Sequence, residues 1–165
     1  MNTKPIEELI KSGQYDKALA ACNAEVEADA TVLNEVLRLR SWIHTRQGNY
    51  LEGIQELEMI IQSGEASIAD YHSAGLWSLH REDFAKAAQC FESAIDIGGK
   101  QGEVWYESSA HFYASFANMM LKKYKRAKEL LENPEDADES MDFFIPNIGA
   151  FTRNDLLAEI NKRSG

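Results

Sequence analysis

The side chains best suited to metal or acid–base chemistry in this sequence are its histidines, His44, His72, His80 and His111. His72 and His80 are eight residues apart, which places them two turns apart on one helical face. A helical zinc site needs ligands three or four residues apart and a third ligand nearby, and Asp83 beside His80 leaves that set incomplete. We therefore predict no metal site. A pH-sensitive contact through a histidine stays open.

Motifs for nucleophilic, phosphate or calcium chemistry do not occur in complete form. The glycine-rich run at 98–102 lacks the spacing of a phosphate-binding loop, and the acidic run from Asp136 lacks the Gly and Glu of a calcium loop. Cys22 and Cys90 have no histidine placed beside them by a motif. We predict no catalytic residue and no cofactor, and we expect both cysteines to be buried, unpaired thiols that pack like small apolar residues.

The elements that position these side chains form an internal repeat. An aromatic residue recurs at spacings of 35, 34 and 40 residues, with a small residue three positions later and another packing residue seven positions later. Offsets of three and seven lie on one helical face, so each aromatic opens an amphipathic helix. The aromatics are Tyr15, Tyr50, Phe84 and Tyr124; the small residues are Ala18, Gly53, Ala87 and Ala127; the residues at plus seven are Cys22, Leu57, Phe91 and Leu131.

A second helix precedes each aromatic, so the unit is helix–turn–helix. Gly13 and Gly48 lie two residues before an aromatic, where a left-handed residue ends a helix. Gly64 is the expected C-cap of the second unit, and Gly98 with Gly99 is expected to end the third. The predicted first helices cover 5–12, 32–46, 68–80 and 104–121, and a longer first helix in the fourth unit is expected to explain the 40-residue spacing.

This pattern resembles the tetratricopeptide repeat (TPR) family, whose second helix carries G-x-[YF]-x-x-[AG]-x-x-x-[LF]. Tyr71, Ala74 and Gly75 also fit the family's first helix. The resemblance implies an all-α, right-handed helical-repeat solenoid of TPR-like units with a C-terminal capping helix. The repeats are expected to span residues 1–133, as units 3–28, 31–64, 66–99 and 102–133.

The chain after the repeats is predicted to be a linker and a cap. Residues 134–142 form an acidic, solvated linker, and residues 143–165 form a capping segment. Thr152 is the expected N-cap of a last helix, with Asp155 in its first turn. The apolar residues between 143 and 151 either pack on the last helix pair or fold into the binding groove and occupy it.

The candidate binding residues are side chains at i, i+4 and i+8 on the first helices. The resemblance implies that these positions line a concave groove, where aromatic residues and arginine anchor a partner well. For Phe112, Phe116 and Met120, a role in the core or under the cap is the open alternative. We call the full set the groove set: Arg38, Trp42, Arg46, His72, Leu76, His80, Phe112, Tyr113, Phe116 and Met120.

Composition limits the classes of partner. The 165 residues include 17 basic and 27 acidic ones, for a net charge of −10. This charge argues against nucleic acid and anionic membranes and favours a basic partner. The basic cluster at 122–128 is followed at once by acidic residues, so it is expected to be a neutralised, solvated helix. No signal peptide or membrane span is predicted, which indicates a cytoplasmic protein.

The sequence therefore predicts a non-catalytic adaptor or scaffold that binds a partner peptide or helix in its groove, without a small-molecule substrate. The alternative is a dedicated acidic inhibitor or chaperone of one partner, such as a bacterial toxin immunity protein or a secretion chaperone. An enzyme is not expected. A homodimer is open if a terminal helix pair stays exposed.

Overall fold

A computed structural model describes residues 3–101, 104–132 and 142–165. This part of the chain is 79% helical and contains nine α-helices with one short β-hairpin. It divides into two compact units, Met1–Ala66 and Ser67–Gly165. No helix in the described ranges has the length and apolar character needed to cross a membrane. The elements are α1 (Lys4–Lys11), α2 (Tyr15–Ala28), a 3₁₀ turn (Ala30–Val32), α3 (Leu33–Arg46), α4 (Tyr50–Ser63), α5 (Ile68–His80), α6 (Phe84–Gln101), α7 (Val104–Met120), α8 (Tyr124–Leu131), β1 (Phe143–Ile145), β2 (Gly149–Phe151) and α9 (Arg153–Ser164).

Most predicted helix limits agree with the structure, but the third unit does not end at its glycines. Helix α6 continues through Gly98 and Gly99 to Gln101. A glycine inside a helix costs about 1 kcal/mol, which neighbouring packing can offset. Helices α6 and α7 have 18 and 17 residues, against 14 in α2, α3 and α4. The 40-residue spacing therefore results from the greater length of both α6 and α7, and not of α7 alone.

The turns inside the four helix pairs share one geometry. At each turn, a left-handed residue donates its N–H to the carbonyl three residues back, and the next residue donates to the carbonyl five back. These two hydrogen bonds define the Schellman motif, which satisfies the free carbonyls at a helix end. The predicted left-handed C-cap at Gly64 is also confirmed. The left-handed residues are Gly13 (φ 73°), Gly48 (φ 80°), Glu82 (φ 58°) and Lys122 (φ 60°).

Because all four turns need a left-handed residue, we predict opposite changes in stability for substitutions at two of them. Gly48→Ala is expected to lower the free energy of unfolding by about 1 kcal/mol, because a Cβ disfavours the left-handed region. Lys122→Gly is expected to raise it by about 0.5 kcal/mol, since the strain relieved exceeds the backbone entropy that glycine adds. Urea denaturation of both variants measures the two changes. A Cβ at Gly48 would meet no atom within 4 Å, so crowding does not contribute. Equal losses in both variants would contradict the prediction.

The repeated packing positions lie in the interior of each unit. In Met1–Ala66, Ala18, Cys22, Gly53 and Leu57 are buried, and the core lies mainly between α1, α2 and α3. In Ser67–Gly165, the four equivalent positions are buried in a larger core that includes α5 to α9. The three- and seven-residue offsets therefore predict the buried face of every second helix correctly. The four positions in the second unit are Ala87, Phe91, Ala127 and Leu131.

The C-terminal segment contains a strand pair that the sequence analysis did not predict. Strands β1 and β2 pair antiparallel, with Phe143 opposite Phe151. Their turn has Pro146 at its second position and a left-handed Asn147 (φ 63°) at its third, the residues that favour a type II turn. Helix α9 follows with the expected capping box at its start. The predicted linker at 134–142 lies outside the described residues except for its last position.

Candidate functional site

Three members of the groove set lie on α3 of the first unit. Arg38 and Trp42 are half-buried, and Arg46 is exposed. Trp42 packs against the core of its unit, so one part of the indole is fixed while the rest reaches solvent. A fixed, partly exposed tryptophan next to an exposed arginine on one helical face suits anchoring of a protein partner.

An ion pair between half-buried Arg40 and buried Glu56, close to these residues, was not predicted from the sequence. The carboxylate of Glu56 on α4 is 7% exposed, and its Oε1 lies 2.7 Å from Arg40 Nη2 and 3.7 Å from His44 Nε2. Arg40 stands where the repeat family has leucine, so hydrophobic periodicity gives no signal for it. The pairing compensates a carboxylate whose burial alone would be costly. It is a structural contact inside the first unit.

Cys22 lies in the same electrostatic environment and is an inert thiol. Burial raises its pKa to about 11, and Arg40 offsets only part of that effect. A thiol with this pKa carries almost no thiolate near neutral pH, so it is a poor nucleophile. Cys22 and Cys90 are both buried and neither forms a disulfide, which confirms their prediction as packing residues.

His72 of the groove set lies in the interior of the second unit. It is 9% exposed, and a hydrogen bond of 2.8 Å joins its Nε2 to Ser109 Oγ. The rings of Phe91, Tyr106 and Tyr113 surround it at centroid distances of 5.4, 5.3 and 6.0 Å. Burial lowers the pKa of His72 to about 4, so the imidazole is neutral at physiological pH. In this position it stabilises the α5–α7 contact and does not face solvent.

Helix α7 is enclosed by its neighbours, and the C-terminal hairpin covers one side of it. Every residue from Ser109 to Met119 is buried. Phe143 stacks on Phe112 with ring centroids 4.3 Å apart, and the Tyr113 hydroxyl donates to the Phe144 carbonyl at 3.1 Å. The apolar residues of the hairpin thus join the core of the second unit. They occupy the α7 face on which Phe112, Tyr113 and Phe116 were expected to meet a partner.

Three members of the groove set in the second unit remain partly accessible. Leu76, His80 and Met120 are half-buried. His80 lies 6.2 Å from Trp77 between ring centroids, and burial lowers its pKa below the ordinary histidine value. Their role in binding stays a prediction. Phe112 and Tyr113 are buried beneath the hairpin, so they can reach a partner only if the hairpin leaves α7.

An apolar cleft opens beside Met120, between the hairpin turn and the α5–α6 turn. Its volume is about 140 Å³. Eight of its nine lining residues are uncharged, and the ninth is Glu82. The cleft is lined by Leu79, Glu82, Phe84, Phe116, Met120, Ile145, Pro146, Asn147 and Ile148. We call it the hairpin cleft.

The basic cluster on α8 is partly neutralised, as its sequence predicted. Arg126 pairs with Glu92 on α6 at 2.8 Å, and Lys125 lies 3.9 Å from Glu129. Glu92 also accepts a hydrogen bond from Asn118 on α7 at 2.9 Å. The cluster therefore helps to fasten α8 to the second unit. Within the described ranges, no three His, Cys, Asp or Glu side chains lie close enough to hold a metal ion.

Comparison with known proteins identifies no relative: no family model matches the chain, and no curated protein or solved structure is significantly similar to it.

Proposed function

We propose that this chain is a TPR-like helical-repeat protein that binds a protein partner and catalyses no reaction. The right-handed solenoid expected from the sequence is part of the proposal. The observation that supports it best is the repetition of one Schellman-capped helix pair, with the same buried offsets after each aromatic. Proteins built from such repeats use the helix faces as extended binding surfaces.

The face of α3 is the proposed contact surface of the first unit. Trp42 supplies a large apolar anchor held by the core, and Arg46 supplies an exposed cation four residues later. Tryptophan and arginine are enriched among the few residues that supply most of the binding energy at protein interfaces. A single helix can present both residues to a peptide or helix of the partner.

Capture of partners from the source lysate tests this surface. The wild-type chain is expected to retain one partner in stoichiometric amount. The double variant Trp42→Ala, Arg46→Glu is expected to weaken that binding by about 100-fold, because an anchor and a charge are lost together. Leu51→Ala in α4 is the control, since Leu51 is 42% exposed and lies outside the groove set. Circular dichroism and urea denaturation check that each variant is folded.

Equal retention of the partner by the wild type and the double variant would contradict this assignment. Loss of the partner in the Leu51→Ala control would show that the α4 surface also contributes. Calorimetric titration of the identified partner then measures each dissociation constant.

A dedicated acidic inhibitor or chaperone is the second candidate, favoured by the net charge of −10. Such a protein would attract a basic partner by long-range electrostatics, and its association rate would fall steeply with salt. An adaptor with several weak partners would show little salt dependence. Stopped-flow association at two ionic strengths separates the two. A cytoplasmic location belongs to both candidates.

A further inference from the structure

The hairpin cleft is a preformed apolar site with an open entrance. Phe116 and Ile145 are buried in its walls, whereas Ile148 at its edge is 51% exposed. Phe144, next to Ile145 on β1 but on the opposite face of the strand, is 65% exposed. Ile148 and Phe144 therefore expose large apolar side chains on one short hairpin. Exposed apolar surface of this kind is typical of interaction sites.

Both rims of the cleft are held by hydrogen-bonded turns. The Ile148 N–H donates to the Ile145 carbonyl at 3.1 Å, which closes the hairpin turn. On the other side, the Glu82 N–H donates to the Leu79 carbonyl at 3.0 Å within the Schellman motif after α5. Because both turns are fixed before any ligand arrives, binding in the cleft would cost little ordering entropy.

Glu82 is the one charged lining residue of the cleft, is exposed, and forms no ion pair with any residue in the described part of the chain. A cation next to the cleft, Arg163, lies 3.9 Å from Met120 Sδ through its Nη1, but it is already paired with Glu159 Oε1 at 2.7 Å and does not neutralise the charge of the cleft. The chain as a whole carries a net charge of −10. A ligand that brings a cation beside an apolar group would satisfy both the carboxylate and the cleft. An anionic lipid surface would be repelled, and a neutral apolar molecule would leave Glu82 unused.

We propose that the hairpin cleft binds one aliphatic or aromatic side chain of a protein partner, next to a Lys or Arg that pairs with Glu82. This inference rests on the proposed protein-binding function and adds the chemistry of the bound segment. The cleft volume of about 140 Å³ suits one side chain and not a whole helix face. The docked segment is therefore short, with a single apolar anchor and an adjacent cation.

Selection of random twelve-residue peptides displayed on phage, using the full chain as bait, tests the proposal. Enriched peptides are expected to share a large apolar residue next to Lys or Arg. Ile148→Ser and Glu82→Lys are each expected to weaken the selected peptides by about tenfold or more in fluorescence anisotropy. The Met120 methyl resonance is expected to shift on binding, since Met120 lines the cleft.

Two matched controls are available in the first unit. Met59→Ser removes an apolar side chain that is 51% exposed, the same fraction as Ile148. Glu27→Lys reverses the charge of an exposed glutamate, as Glu82→Lys does. Both controls are expected to keep wild-type affinity within about twofold.

Several results would overturn the inference. These are enrichment of no peptide, enrichment of peptides without Lys or Arg, and wild-type affinity of the selected peptides for both Ile148→Ser and Glu82→Lys. A dimer that is abolished by Ile148→Ser would instead assign the cleft to a second copy of the chain. If a captured partner is lost in Trp42→Ala, Arg46→Glu but kept in both cleft variants, the proposed function stands and this inference fails.

Discussion

Gly75→Ala is expected to destabilise the second unit by about 2 kcal/mol, although alanine is the better helix former. A Cβ at Gly75 would lie 2.7 to 2.9 Å from three carbons of the Phe91 ring, well inside van der Waals contact. Phe91 is fully buried, so its ring has no space into which it can move. Overpacking in such a core costs about 1–3 kcal/mol or more, which exceeds the helix-propensity gain of about 1 kcal/mol.

Urea denaturation of Gly75→Ala, Phe91→Leu and the double variant measures how much stability the clash between residue 75 and the Phe91 ring costs. The double variant is expected to lose less stability than the sum of the single changes, because a smaller side chain at 91 makes room for the new methyl group. Gly53→Ala is a parallel case in the first unit, since its added Cβ would lie 2.6 Å from Cγ2 of buried Thr45 and 3.2 Å from the Ser41 carbonyl oxygen. Strict additivity, or a stabilising Gly75→Ala, would show that the ring contact is not limiting.

Acidification from pH 6.5 to pH 4 is expected to remove about 3 kcal/mol of stability through His72 alone. Burial lowers the pKa of His72 from 6.5 to about 4 in the folded chain. In this interval the unfolded chain binds a proton at His72 and the folded chain does not, so the free energy of unfolding falls as pH falls. Above pH 6.5 the imidazole is neutral in both states, and this contribution to stability is complete.

His72→Gln isolates this contribution, because glutamine retains a hydrogen-bonding group and does not titrate. The stability difference between wild type and His72→Gln is expected to shrink as pH falls from 7 to 4, while other titrating groups affect both proteins alike. Denaturation at pH 7 and 4.5, with an NMR titration of the His72 ring protons, measures it. A His72 that titrates near 6.5 in the folded chain, or a constant difference between the two proteins, would refute the expectation.

The periodicity of the sequence correctly predicted the turns and the buried helix faces, because both depend on residues close together in the chain. The aromatic at the start of each second helix marked all four turns, including those where Glu82 and Lys122 replace glycine. The helix of each unit that follows the turn also buries the predicted face. The end of α6 was misplaced, because Gly98 and Gly99 favour a stop only where packing does not continue the helix.

The site depends on contacts between distant segments, which periodicity does not encode. Phe112 and Phe116 have the spacing of a binding surface, but Phe143 of the hairpin stacks on Phe112, and Phe116 packs against Phe84 of α6. The strand pair itself had a local signal in Pro146 and Asn147, whose turn chemistry was not recognised. The Arg40–Glu56 pair gave none, because each residue reads alone as an ordinary surface charge.

Because α7 is covered by a segment that follows it in the sequence, it lacks that cover for part of the time in which the chain is synthesised. Translation delivers α7 and α8 before the hairpin and α9, so the nascent chain presents Phe112 and Tyr113 without their cover. Exposed apolar surface of this kind makes folding intermediates prone to aggregation and dependent on chaperones. Synthesis of the C-terminal segment therefore completes the core of the second unit. A chain truncated after α8 would keep this apolar surface exposed and would be prone to aggregate.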